Sequence, residues 1–330
     1  MNIVEISNRF PTELAAIEYF ESIRWADKVE CAYCESTRLG MRNKDHRFHC
    51  KSCQRSFSVT TNTYLHDTRM ELRVWLYAFA LITDAKKGLS ALQLHRNLNI
   101  SYPTAHSMYM RIRDLMLEPV EKLDDIVEMD ETFVGGRPRA RGVPVDYTDE
   151  KLKVLDTKIA KLEQKHGVDF KTENVYKKKP SPPRKRGRGT TKIPVVGIVE
   201  RDGNVVAQVM RTLTYKNLKQ MVQKAVEEEN SVLITDEFKS YHQMSKIIDR
   251  LSIEHKKKVY SYKGVNTNTI ESFWAIIKRG LVGQFHHVSP KYLPNYIAEF
   301  VFKFNNRKDD DMFETLVVNS MKNRDEPITL

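Results

Sequence analysis

Three carboxylates stand where phosphate chemistry can be done. Asp130 closes the apolar run Ile126-Val127-Glu128-Met129, Asp236 closes Val232-Leu233-Ile234-Thr235, and Glu271 opens a helical run from Ile270 to Lys278. Aspartates at the C-terminal ends of strands project at the edge where α/β sheets build their sites. Carboxylates that converge from separate elements can hold two hard divalent cations, Mg²⁺ or Mn²⁺, about 3.5–4 Å apart. One cation then activates a water or a 3′-hydroxyl and the other stabilises the leaving oxygen, which is phosphodiester chemistry. Lys278 lies two helical turns beyond Glu271 on the same face, so its ammonium can reach a phosphate beside the metals. Plainer readings stand beside these. Asp236 can cap a helix begun by Glu237-Phe238-Lys239, and Glu271 can be a favourable charge in a first helical turn.

The four cysteines give the sharper signal. They fall as Cys31-x2-Cys34, fifteen intervening residues, and Cys50-x2-Cys53. Two such knuckles bring four thiolates to the corners of a tetrahedron, the spacing of a zinc ribbon. Four thiolates fill the shell, so one zinc is expected there in a structural role. Disulfides are disfavoured, because the chain shows no secretory signal pattern. His46 and His49 lie between the knuckles and are read as surface or DNA-facing side chains rather than as ligands.

Positioning these groups requires a folded chain, and the composition allows one. Of 330 residues, 41% are hydrophobic and 29% charged, the balance of a globular protein. The longest apolar run, Trp75 to Ile82, is far short of the ~20 residues of a membrane span. A secreted or integral membrane protein is therefore not expected. The formal net charge is +11, and residues 137–192 hold 17 Lys and Arg against 7 Asp and Glu, so nearly all the excess sits in one stretch. A concentrated basic segment most often faces nucleic acid, with a solvated tether as the alternative.

Before the cysteines, residues 12–25 read as a helix capped by Thr12. After them, Leu72, Trp75, Leu76, Phe79 and Ile82 mark a second helix. Leu89 to Leu98, a turn at Asn99-Ile100, and Tyr102 to Leu117 have the form of a helix-turn-helix. Its second helix carries Arg111 and Arg113 towards a major groove; an ordinary helical bundle is the competing reading. Strands are expected over 126–130, 193–200, 205–211 and 232–236, with Asp202-Gly203 turning a hairpin between the second and third. Thr214 caps a helix carrying Leu218, Met221, Val222 and Ala225. A hairpin followed by alternating strands and helices describes a mixed α/β sheet. Residues 137–192 interrupt it with a charged helical piece around 152–162 and a Pro- and Gly-rich basic run, read as a mobile insertion. DNA contacts are expected there from Lys177, Lys178, Lys179, Arg184, Lys185, Arg186 and Arg188.

Several blocks in order resemble one family, the bacterial insertion-sequence transposases of the DDE type with an N-terminal zinc ribbon. They are the ribbon with Arg24-Trp25 before it and Phe57-Ser58-Val59 after it; Met129-Asp130-Glu131-Thr132-Phe133-Val134-Gly135-Gly136; Val196-Gly197-Ile198-Val199-Glu200-Arg201; and Thr235-Asp236. Thr267-Asn268-Thr269-Ile270-Glu271-Ser272-Phe273-Trp274, Lys278-Arg279-Gly280, Gly283-Gln284-Phe285-His286-His287 and Glu299 to Arg307 continue the match. The resemblance implies a ribonuclease-H-like catalytic fold in which Asp130, Asp236 and Glu271 bind two magnesium or manganese ions, with Lys278 beside them. It also implies cleavage of element ends and attack of the freed 3′-hydroxyl on target DNA. Ala32 and Glu35 stand where the family usually has Pro and Gly, which predicts a looser ribbon; Asn266 replaces a common His, and the basic insertion is long. His286, His287, Asn305 and Arg307 are read as packing the C-terminal helix.

The expected organisation is therefore an N-terminal helix and ribbon (1–65), a helix-turn-helix-like domain (66–122), a catalytic domain (123–310) with its insertion (137–192), and a C-terminal tail (311–330). The expected partners are element terminal repeats, target DNA and further copies of the chain, in the cytoplasm at the nucleoid. A non-catalytic, zinc-dependent DNA-binding descendant of such an enzyme is the alternative function, and a structure-selective nuclease a third.

Overall fold

Local capping starts the first helices. In the computed structural model, which describes residues 1–40, 45–117, 121–135, 149–166, 192–252, 265–308 and 312–324, α1 (Ile3–Arg9) opens with a capping box between Asn2 and Glu5. The Thr12 hydroxyl caps α2 (Glu13–Arg24). The ribbon follows, with a short antiparallel pair β1 (Phe48–His49) and β2 (Ser56–Phe57). The next helix, α3 (Leu72–Asp84), has no cap of its own. Glu13 supplies one from α2, accepting the backbone N–H of Leu72 at 2.7 Å and of Arg73 at 3.0 Å. The expected helix-turn-helix is present as α4 (Ala91–Leu98) and α5 (Tyr102–Leu115), joined through a left-handed Asn99 and capped by Ser90 and Ser101.

From Leu123 the period changes to two. β3 (Leu123–Val134) leads into the second compact unit, residues 136–192, of which the 18-residue α6 (Asp149–His166) is described. The chain resumes with β4 (Ile193–Glu200), β5 (Val205–Val209), α7 (Tyr215–Ala225), β6 (Val226–Thr235), the single turn α8 (Lys239–His242), β7 (Asp249–Ser252), α9 (Asn268–Gly280), α10 (Leu293–Asn305) and α11 (Met312–Met321). The sheet order is β5-β4-β3-β6-β7. β3, β4 and β5 run antiparallel, and β6 and β7 add in parallel to the other side of β3. Numbered within the sheet this is 3-2-1-4-5, the ribonuclease-H-like arrangement.

Both faces of the sheet are covered. Val127, Met129, Val196, Ile198 and Leu233 meet Leu218, Met221 and Val222 of α7 on one face. Val195, Val199 and Val205 meet Ile270, Phe273, Trp274 and Ile277 of α9 and Ile297 and Phe300 of α10 on the other. The helical region has its own core, which joins Ile6, Phe20, Leu76, Phe79, Leu94 and Ile112 to Phe302, Leu316 and Val317. This corrects two expected boundaries. α1 and α2 pack with the helical region rather than with the ribbon alone, and residues 312–321 form a packed helix rather than a tail. The chain past the five-stranded sheet carries Phe313, Leu316, Val317 and Met321 at helical spacing, and these seal the helical core.

α10 belongs to both cores. Its Phe300 lies in the sheet core and its Phe302 in the helical one. Between them Glu299, with no exposure, accepts hydrogen bonds from Arg113 Nε at 2.9 Å, Tyr109 Oη at 2.8 Å and Lys303 Nζ at 2.7 Å. Arg113 was expected to face DNA; it is 2% exposed, with its guanidinium against the rings of Tyr109 and Tyr296 at 3.8 and 3.6 Å. A guanidinium among apolar positions of an amphipathic helix points inward, where it needs a carboxylate, and Glu299 provides it. No helix among the described residues is long and apolar enough to cross a membrane.

Candidate active site and metal centres

The ribbon brings its four sulfurs within 4.8 Å of one another. Cys31 and Cys53 lie 3.7 Å apart through Sγ, and Cys34 and Cys50 lie 3.6 Å apart. A Zn–S bond of about 2.3 Å requires tetrahedral edges of about 3.8 Å, so the donor set fits zinc in chemistry and in size. The knuckles are matched. Glu35 N donates to Cys31 O and Gln54 N to Cys50 O, with Glu35 and Gln54 both left-handed at φ 58° and 59°. The absence of glycine at Glu35 therefore does not loosen the ribbon, because Glu35 adopts the turn glycine would have made. His49 turns to Ser56 and Gln54, away from the thiolates. Trp25 packs edge-on against Phe48 and Phe57, which ties the ribbon to α2.

The carboxylates converge at the C-terminal end of β6. Met129 and Thr235 are register partners on the parallel strands β3 and β6, so Asp236, leaving β6, comes beside Asp130, where β3 continues to Val134 against β4. Their carboxylates, with that of Glu131, lie within 4.8 Å of one another. The sequence did not single out Glu131, which borders Asp130 and has no periodic signal of its own. Tyr241, fully buried, donates to it at 2.7 Å. Asp236 also accepts from Phe238 N at 2.9 Å, a local turn contact rather than a helix cap, because the N-cap of α8 is Phe238 and carries no side-chain cap. Arg250 of β7 donates to the backbone oxygen of Asp236 at 3.0 Å and to the Thr235 hydroxyl at 2.8 Å.

Glu271 lies outside that tight trio, on the first turn of α9, with Thr267 Oγ1 donating to it at 3.1 Å. It is near enough to act on Asp130, whose carboxyl is pushed up to about 7 by burial first, then by Glu131, Asp236 and Glu271. Crowded carboxylates of this kind are an oxygen donor set that a divalent cation would neutralise. α9 reaches the site because Gly197, the register partner of Asp130 on β4, carries no side chain. A Cβ there would lie 2.8 Å from the Trp274 ring and 2.9 Å from Ile270.

Among the other expected residues, Lys278 is exposed and Arg111 half-buried. Lys177, Lys178, Lys179, Arg184, Lys185, Arg186 and Arg188 lie outside the described residues. Asn305 makes two hydrogen bonds to the backbone of Val205, 2.8 and 3.1 Å, so it ties α10 to β5. Arg307 stacks on Phe304 at 4.0 Å, and both contacts agree with a packing role.

Fold and site define a mixed α/β protein with a thiolate centre on a ribbon and a carboxylate centre at a sheet edge. Residues 11–56 match the transposase zinc-ribbon domain, and residues 167–305 match the ISXO2-like transposase domain, which includes Asp236 and Glu271 and begins after Asp130. A protein of the transposable element ISH50 in Halobacterium salinarum is 24% identical over 301 residues, covering 88% of this chain and 90% of that one. Among solved structures, the Mos1 strand transfer complex aligns at 11% identity over 75% of this chain and 78% of that chain, with a TM-score of 0.28. A pre-cleavage Mos1 transpososome aligns over 74% and 78% at 11% identity, with a TM-score of 0.27. The chain thus carries a transposase zinc-ribbon domain followed by an ISXO2-like transposase domain.

Proposed function

We propose that this transposase cuts and joins DNA at the ends of its mobile element by phosphodiester transesterification, with Asp130, Asp236 and Glu271 holding two divalent cations, Mg²⁺ or Mn²⁺. The observation that carries this reading is the meeting of Asp130, within β3, with Asp236, just past the end of the adjacent parallel strand β6, with Glu271 acting on the Asp130 carboxyl. When bound, the cations supply activation of a water or 3′-hydroxyl and stabilisation of the leaving oxygen. The chain's own residues hold the frame. Arg250 fixes the backbone of Asp236, Tyr241 fixes Glu131, and Lys278 offers an exposed ammonium to a phosphate two turns along α9.

The ribbon, holding one structural zinc, and the outer face of α5 with Arg111 read element-end DNA. The basic residues from Lys177 to Arg188 add phosphate contacts that carry little sequence preference. Two ends must be brought together for joining, so a homodimer or a larger assembly on DNA is the working form, in the cytoplasm at the nucleoid.

The test uses purified full-length protein, Mn²⁺ or Mg²⁺, and labelled DNA from both flanks of its gene, with Asp236→Asn alongside. Metal-dependent nicks and joined strands that disappear in the variant are the expected result. Full activity in Asp236→Asn would sink the proposal. Retarded but uncut DNA in both samples would identify a DNA-binding descendant instead, and nicks without joining would identify a nuclease.

A further inference from the structure

Glu128 stands two positions before Asp130 on β3, on the same face of the strand, and has no exposure at all. Burying a carboxylate is costly unless it is paired and fully hydrogen-bonded, and this one is both. Its Oε2 accepts the backbone N–H of Thr269 at 2.9 Å and of Ile270 at 3.1 Å, and its Oε1 accepts the Thr269 hydroxyl at 3.1 Å and Arg201 Nε at 2.9 Å. The same guanidinium donates through Nη2 to the backbone oxygen of Asn266 at 3.0 Å.

Those two amides belong to the first turn of α9, where the flanking Asn266 side chain accepts the N–H of Asn268 and the N-cap Thr267 makes no side-chain cap. Thr267 donates its hydroxyl to Glu271 instead. A local Ser, Asp or Asn would satisfy the first turn without burying an ion. A cap delivered from β3 does something a local cap cannot, because it ties the strand that carries Asp130 directly to the turn that carries Glu271. Glu271 follows Ile270 immediately, so few bonds separate the two carboxylates through this clamp. On the far side of the turn, Ile270 and Trp274 rest over Gly197, which fixes how closely α9 approaches the sheet.

We propose that Glu128 is a positioning residue that sets Glu271 against Asp130 and Asp236, so that divalent-metal affinity and turnover depend on a side chain touching neither metal nor DNA. This rests on the assignment of those three carboxylates to the metal site. Removing residues that orient metal-binding groups typically costs about 10–100-fold in affinity or activity, and that is the expected scale here.

The experiment compares wild type, Glu128→Gln and Asp236→Asn as full-length proteins by three readouts. Amide exchange at Thr269 and Ile270 reads the clamp without any activity, the Mn²⁺ dissociation constant reads the site, and kcat and KM for element-end DNA read the chemistry. In Glu128→Gln we expect faster exchange at both amides, Mn²⁺ affinity weaker by about 10–100-fold, and kcat lower by a similar factor with KM for DNA unchanged. A merely stabilising side chain would lower the melting temperature and leave the Mn²⁺ affinity of the folded protein as it was; that result, or unchanged exchange, overturns the proposal. Should Glu128→Gln fail to fold, Thr269→Val removes a single bond of the clamp, and wild-type Mn²⁺ affinity in that variant overturns it equally. Asp236→Asn separates the two levels. Undiminished Mn²⁺ affinity there removes the metal-site reading together with this inference, whereas undiminished affinity in Glu128→Gln alone removes only the inference.

Discussion

A carboxylate with no exposure persists at Glu299 because two cations and a phenol reach it from two helices. Burial alone would raise its carboxyl; Lys303 and Arg113 outweigh that and hold it below the ordinary carboxylate range. Its folded value is thus depressed, so its contribution to stability is complete above about pH 4.5 and is lost as the pH falls through the folded value. Glu299→Gln leaves Arg113 and Lys303 without their counter-charge and should destabilise by about 3–5 kcal/mol near neutral pH. Denaturant melts of wild type and variant at pH 7 and at pH 3 check this. The difference should shrink at the lower pH, and a difference independent of pH would show that packing rather than charge is lost.

At the scale of elements, the ribbon and the sheet are stabilised by different means. Among the described residues, only Cys31, Cys50 and Phe57 form the buried heart of the ribbon, too little apolar surface to hold some thirty residues without the metal. Stripping zinc with a chelator, or substituting Cys50→Ser, should erase amide protection over the ribbon while β3, β4 and β6 keep theirs. One zinc per chain by elemental analysis, lost in Cys50→Ser, completes the check. Simultaneous loss of protection in the sheet would mean that the ribbon is part of a single cooperative unit. The sheet is expected to outlast it because apolar side chains cover both faces, from α7 on one and from α9 and α10 on the other.

For the molecule as a whole, charge is segregated: residues 137–192 carry 17 Lys and Arg against 7 Asp and Glu. Neutralising a phosphate releases counterions, and each contact adds roughly 0.9 to the slope of log affinity against log salt. Deleting residues 177–188 removes seven basic side chains, so the slope for element-end DNA should flatten while the preference for end sequence over random sequence is kept. Titration of end and random DNA at several salt concentrations reads both. An unchanged slope would place the phosphate contacts elsewhere.

The amino-acid sequence by itself determined whatever depends on neighbours in the chain. Cysteine spacing defined the ribbon, alternation and helical period defined β4, α2, α3, α7 and the first part of β3, and the two aspartates following apolar runs marked the carboxylates that the fold then brought together, although β3 continues past Asp130 to Val134. β7 escaped because Asp249–Ser252 is a short, largely exposed edge strand with no apolar alternation to announce it. Tertiary structure alone decided the roles of charged side chains whose partners are far along the chain. Arg113 is a structural cation because Glu299, 186 residues away, meets it in the core, and Glu128 is a cap because the first turn of α9, 141 residues away, lands on it. Burial decides whether a charge faces water or a partner, and burial is a property of packing between elements, which local periodicity does not encode.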